Sequence, residues 1–101
     1  MEVNIATNGN ETTVAFVGRL DTPASQEVSQ TLDPLLEKTD GTIILDCENL
    51  TYISSSGLRI FLTLRKSAAV KGGKVIVRKI NSDIRSVFMM TGFLNLFEIQ
   101  D

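Results

Sequence analysis

The most constraining stretch of this chain is Ile43-Ile44-Leu45, three large aliphatic residues in a row between Thr42 and Asp46. A strand turns successive side chains to opposite sides, so a run that is apolar at every position reads as buried on both faces. Thr42–Leu45 is therefore expected in the interior of a sheet. The segments around it alternate between two hydrophobic periods. Val3 and Ile5 alternate with polar neighbours, Asn8-Gly9-Asn10 is a hairpin turn, and Thr12–Val17 is rich in β-branched residues and ends at Gly18.

Thr22 as cap and Pro23 as first residue open a helix whose apolar face is Val28, Leu32, Leu35 and Leu36. Pro34 falls inside that pattern and, lacking an N–H, should kink the helix or start a new turn. Lys38–Gly41 closes the segment. Leu50–Ile53 reads as a short link. A second helix follows Ser54-Ser55-Ser56-Gly57, with Leu58, Phe61, Leu62, Arg65, Ala68 and Ala69 holding its period until Gly72-Gly73. Lys74–Ile80 is a fourth strand. Asn81 or Ser82 caps a third helix bearing Ile84, Val87 and Phe88, Gly92 follows it, and Leu94–Ile99 is the last strand. The order ββαβαβαβ, with parallel crossovers after an antiparallel hairpin, specifies a single α/β domain over residues 1–101. Its mixed, mostly parallel sheet has about five strands, with three to four helices.

Composition narrows the chemistry. The net charge is −2 and the pI about 5.0, which gives no broad attraction for nucleic acid or anionic lipid. Lys66, Lys71, Lys74, Arg78 and Lys79 lack interleaved aromatics and read as a solvated face. There is no histidine, which removes Ser-His-Asp and Cys-His centres and the common His-based metal sites. Cys47 is the one cysteine, so no internal disulfide or thiolate cluster forms, and a reducing cytoplasmic setting is expected. It follows a buried strand without a basic partner and reads as a packed thiol. Asp46 and Glu48 beside it are two acids without a third ligand, the pattern of loop-capping or solvated groups. Met1 runs into the polar stretch Glu2–Glu11, with no apolar leader behind a basic start, and no run approaches the ~20 residues of a membrane span. No cofactor motif is present. Met89-Met90 with Phe93 could form an adaptable surface, with at least one of the two methionines expected in the core.

The feature left to carry function is Tyr52-Ile53-Ser54-Ser55-Ser56-Gly57-Leu58-Arg59, three hydroxyls at a helix entry directly after a strand. Free N–H groups and the helix dipole make such an entry tolerant of an anion, including a phosphate on serine. The plainer reading makes Ser54 or Ser55 the cap and Ser56 filler. A cap needs only one hydroxyl, however, and two further serines with a glycine leave a small, open surface.

This segment, together with Ile44-Leu45-Asp46 before it, resembles the motif of the STAS domain, in the branch of bacterial anti-sigma factor antagonists: an apolar strand, a short loop, then Asp-Ser-Ser/Thr-Gly-Leu opening a helix. Gly18-Arg19-Leu20-Asp21, Gly72-Gly73-Lys74 and Val87-Phe88…Thr91-Gly92-Phe93 are similar to further family features in the same order, over about residues 3–99. The resemblance implies a phosphorylation-switched binding module and no catalytic residue. It makes Ser55 the phosphate acceptor, with Ser54 or Ser56 as alternatives. It makes Asp21, Ser54, Ser55, Ser56, Gly57, Leu58 and Arg59 a partner surface, Gly57 allowing close approach of the partner backbone. The implied partner is an anti-sigma factor that is also a serine protein kinase, with a serine phosphatase as a further partner and a released sigma factor as the outcome. A STAS-like adaptor subunit of a membrane transporter or larger signalling assembly is the alternative. The chain departs from the motif at two places. Ser54 stands where the family has Asp, and Arg59 stands where a small residue often follows Leu.

Overall fold

The computed structural model describes residues 1–101. Strands β1 (Glu2–Asn8) and β2 (Glu11–Leu20) form the opening hairpin. Helix α1 (Thr22–Leu32) runs into a 3₁₀ turn (Asp33–Lys38), and β3 (Thr42–Ile53) precedes α2 (Ser55–Lys71). Then come β4 (Lys74–Arg78), α3 (Ser82–Thr91), a 3₁₀ turn (Phe93–Asn95) and β5 (Glu98–Gln100). The sheet has five strands in the order β1-β2-β3-β4-β5. The first pair is antiparallel and the others are parallel, as the order of periods requires.

Parallel neighbours in sequential order, joined by right-handed crossovers, put every helix on the same side of the sheet. Val14, Phe16, Ile43, Leu45, Val75 and Val77 face Val28, Leu32, Phe61, Leu64, Ile84 and Phe88 in one core. Phe61 is its hub, with ring centroids 5.3 Å from Phe16, 6.2 Å from Phe88 and 6.4 Å from Phe97, in the tilted and edge-on arrangements aromatic rings prefer. The run Ile43-Ile44-Leu45 is buried throughout, but no second helical layer covers it. Ile44 and its cross-strand neighbour Ile76 point away from the helices. Beside them on the sheet lie Thr13, Asp46, Lys74, Arg78 and Glu98.

Several element boundaries differ from the sequence reading, each for a local reason. β2 does not stop at Gly18. It passes through that glycine at φ +107, a conformation that suits a residue without Cβ, and continues to Leu20. Leu50–Ile53 is not a link but the second half of β3. The pairing between β2 and β3 slips twice, so that Ala15 pairs with Asp46 but Val17 with Asn49, and Gly18 with Leu50 but Arg19 with Tyr52. The buried positions then run Ile43, Leu45, Cys47, Leu50, Ile53, and the strict alternation that marks a strand is lost. Side chains hold both slips. Asp46 Oδ1 accepts from the Glu48 N–H at 3.1 Å, and Thr51 Oγ1 donates to the Gly18 carbonyl at 3.0 Å.

The cap of α1 is Asp21, not Thr22. Pro34 converts the end of α1 into the 3₁₀ turn. β4 stops at Arg78, because Lys79 takes φ +61, which no strand continues. Asn81 is the cap of α3: its Oδ1 accepts from the Ile84 N–H at 2.8 Å, and its Nδ2 donates to the Leu50 carbonyl at 3.0 Å. The last strand is only Glu98–Gln100, since Phe93–Asn95 forms a turn. No helix is long and apolar enough to cross a membrane.

Candidate functional site

Two helices begin side by side where β2 and β3 end. Leu20 and Ile53 are register partners, and the Ser54 N–H donates to the Leu20 carbonyl at 2.9 Å. The chain then turns into α1 through Asp21 and into α2 through Ser54. Each start is closed by its own side chain. Asp21 Oδ1 accepts from the Ala24 N–H at 3.0 Å, and Ser54 Oγ accepts from the Gly57 N–H at 3.1 Å. In both, the acceptor satisfies the N–H three residues on, the usual chemistry of an N-cap.

This geometry divides the three serines. Ser54 is buried and its oxygen is engaged as the cap. Ser55, the first residue of α2, is exposed. Ser56 is half-buried and lines a groove between α1 and α2 of about 470 Å³. Ser54, where the family motif has Asp, thus caps the helix without a charge, and the first turn of α2 contains no acid.

Gly57 and Leu58 turn inward and belong to the packing of the domain. A Cβ on Gly57 would lie 2.8 Å from Leu20 Cγ and 2.9 Å from Ile53 Cγ1. The glycine therefore lets α2 sit directly on the ends of β2 and β3; what approaches it is the chain's own core. Leu58 joins that core. Asp21 is half-buried with its carboxylate committed to the cap, while Arg59 is exposed on α2 beside the groove.

Two features of this surface escape a reading of the sequence. Arg19 lies over the Tyr52 ring, 4.3 Å from guanidinium carbon to centroid, one residue before each paired strand end. The pairing depends on the second slip in β3, so no spacing in the sequence signals it. The groove wall on the α1 side is Gln26, Ser29, Gln30 and Asp33. Their helical spacing, polar where a core face is apolar, is the signal that would have found it.

The groups around Cys47 are accounted for structurally. Burial, and then the charge of Asp46, push its thiol up to about 12, so the reactive thiolate is scarce at neutral pH. Glu48 pairs with Lys79 at 2.8 Å. That hydrogen bond favours both charged forms, holding the carboxyl below and the amine above its ordinary pKa. Both groups are in water, where such a pair contributes little. Of the methionines near the C-terminus, Met89 and Met90 are both exposed, and Phe93 is half-buried against the core.

Comparison with known proteins agrees with this architecture. The family model for the STAS domain matches residues 2–101. An anti-sigma F factor antagonist of Paenibacillus polymyxa is 29% identical over 89 residues, covering 87% of this chain and 76% of that protein. An anti-sigma-B factor antagonist of Staphylococcus aureus is 24% identical over 103 residues, covering 100% of this chain and 95% of that one. Among solved structures, the anti-sigma factor antagonist SpoIIAA in its unphosphorylated form superposes with a TM-score of 0.77 at 19% identity, over 99% of this chain and 88% of that chain. The phosphorylated form of SpoIIAA, from Bacillus, gives 0.75 at 20% identity, over 97% and 90%. With its five-stranded mixed sheet, its helices on one face and the family model matched over nearly its whole length, the chain belongs to the STAS domain family.

Proposed function

We propose that the protein is an anti-sigma factor antagonist whose docking is switched by phosphorylation of Ser55. In the unmodified form it binds an anti-sigma factor that is also a serine protein kinase, and so frees a sigma factor for transcription in the cytoplasm. Ser55-phosphate blocks docking, and a serine phosphatase restores it. The work of the module is binding, not catalysis.

The observation that carries this reading is the position of one hydroxyl. Ser55 stands exposed on the first residue of α2, between a buried cap and a half-buried neighbour. A kinase reaches it without disturbing the cap. The relatives named above, antagonists of anti-sigma factors, support the choice of partner. A phosphate adds roughly 1.5 to 2 negative charges at neutral pH. At a helix N-terminus these charges are tolerated by the fold, so the effect falls on the partner. Placing them against a surface complementary to a hydroxyl costs about 2–3 kcal/mol, a loss of roughly thirty- to 150-fold in affinity.

Incubation with the cognate kinase and ATP, followed by mass spectrometry, tests the site. Label on Ser55, retention of binding with loss of label in Ser55→Ala, and weakened binding in Ser55→Asp are expected. Label on any residue other than Ser55, or undiminished binding of the phosphorylated protein, would overturn the reading.

A further inference from the structure

We propose that Arg59 is a positioning residue of the switch: its guanidinium takes hold of the phosphate on Ser55 and in doing so leaves the groove between α1 and α2. The proposal rests on Ser55 being the acceptor. Ser55 and Arg59 are four residues apart on one helix, the spacing at which side chains share a face with Cβ atoms about 5–6 Å apart. The anion is N-terminal to the cation, which is the favourable order on a helix. Both residues are exposed. The guanidinium belongs to none of the molecule's three ion pairs, so no ion pair has to be broken before it turns.

The surrounding acids do not compete from α2, whose first turn has none. On the neighbouring elements, Asp21 is committed to the Ala24 N–H, and Asp33 stands on the opposite wall of the groove. Arg59 and Asp33 are the charged residues lining that groove. A guanidinium meets phosphate through two parallel N–H bonds, a geometry that a lysine amine does not reproduce. Modification then changes the surface twice. It adds a dianion at the start of α2, and it removes the cation that the groove offers a partner. The two departures from the family motif act together here. Serine at position 54 takes away a negative charge beside the phosphate, and arginine at position 59 brings a positive one.

The test uses the full chain with phosphoserine installed at position 55 during synthesis, so that no kinase is needed. The second ionisation of the phosphate is followed by phosphorus NMR across neutral pH in the otherwise unchanged protein, in Arg59→Gln and in Arg59→Lys. Pairing lowers that midpoint by about half a unit to one unit relative to Arg59→Gln, with Arg59→Lys in between. Equal midpoints in the unchanged protein and Arg59→Gln would overturn the proposal. A kinase that labels another residue undoes the functional reading and leaves this titration as it is. Equal midpoints beside clean labelling of Ser55 undo only the role of Arg59.

Discussion

The starts of α1 and α2 are neighbours built on the same plan, and they differ in what they leave free. At α1 the cap is a carboxylate, so a negative charge already sits at the positive end of the helix. The second helical residue is Pro23, which has no N–H to offer. At α2 the cap is a neutral hydroxyl, and the next residue presents a second hydroxyl to solvent. One helix start is electrostatically complete, while the other still has room for an anion. Both helices carry an exposed hydroxyl on their first residue, Thr22 and Ser55, but only at Ser55 is the cap beside it uncharged.

The sharpest way to break this comparison is at the third helical residue, which is Ala24 in α1 and Gly57 in α2. Ala24 already carries a methyl group. At Gly57 the same methyl meets Leu20 and Ile53 below 3 Å, so Gly57→Ala should cost roughly 1–3 kcal/mol in chemical denaturation. Ala24→Gly should cost about 1 kcal/mol or less. Gly57→Ala should also speed alkylation of Cys47, because a less stable fold more often opens and exposes the buried thiol. In the intact protein the thiol, held near 12, should react slowly at pH 8. Its linkage has a definite sign: above about 9, its ordinary value, the unfolded chain releases the proton and the native state keeps it. Stability should therefore fall as pH rises from there towards 12.

Removing each cap comes next in size. Asp21→Ala and Ser54→Ala should each cost about 1 kcal/mol in the same measurement. Exchanging the caps is smaller. Ser54→Asp should hold or raise stability by a few tenths of a kcal/mol, since it adds a charge the dipole favours. In protein phosphorylated at Ser55, the second ionisation of the phosphate should move up, because like charges then share one turn. The smallest effect belongs to Ser55→Ala, which should leave the thermal midpoint where it is, an exposed first-turn hydroxyl having no partner to lose. A marked destabilisation there would mean that Ser55, and not Ser54, closes the helix.

Most of this fold is legible in the sequence because periodicity, turn residues and caps agree with one another from Val3 to Gly92. The exceptions share a cause. Wherever the chain departs from a regular period, at the slips of β3, at Gly18 or at Lys79, local pattern loses the strand and only pairing with a neighbour restores it. Burial of Ile44 shows the limit from the other side. Its apolar neighbours announce a buried position, but not that it lies outside the core packed by the helices. The site follows the same rule. Three hydroxyls at a helix entry are plain in the sequence. Which of them caps, that Gly57 faces inward, and that Arg19 reaches Tyr52 all depend on where the strands stop.

The twelve residues of β3 lie against the ten of β2. The surplus of two is taken up at the two slips, so both strands end level at Leu20 and Ile53. Deleting the extra residue at either slip would remove a bulge and leave Leu20 opposite Ile53, so Ser54 should stay the cap and Ser55 stay outward. The three serines are thus told apart where the two strands end level, not by the length of chain before them.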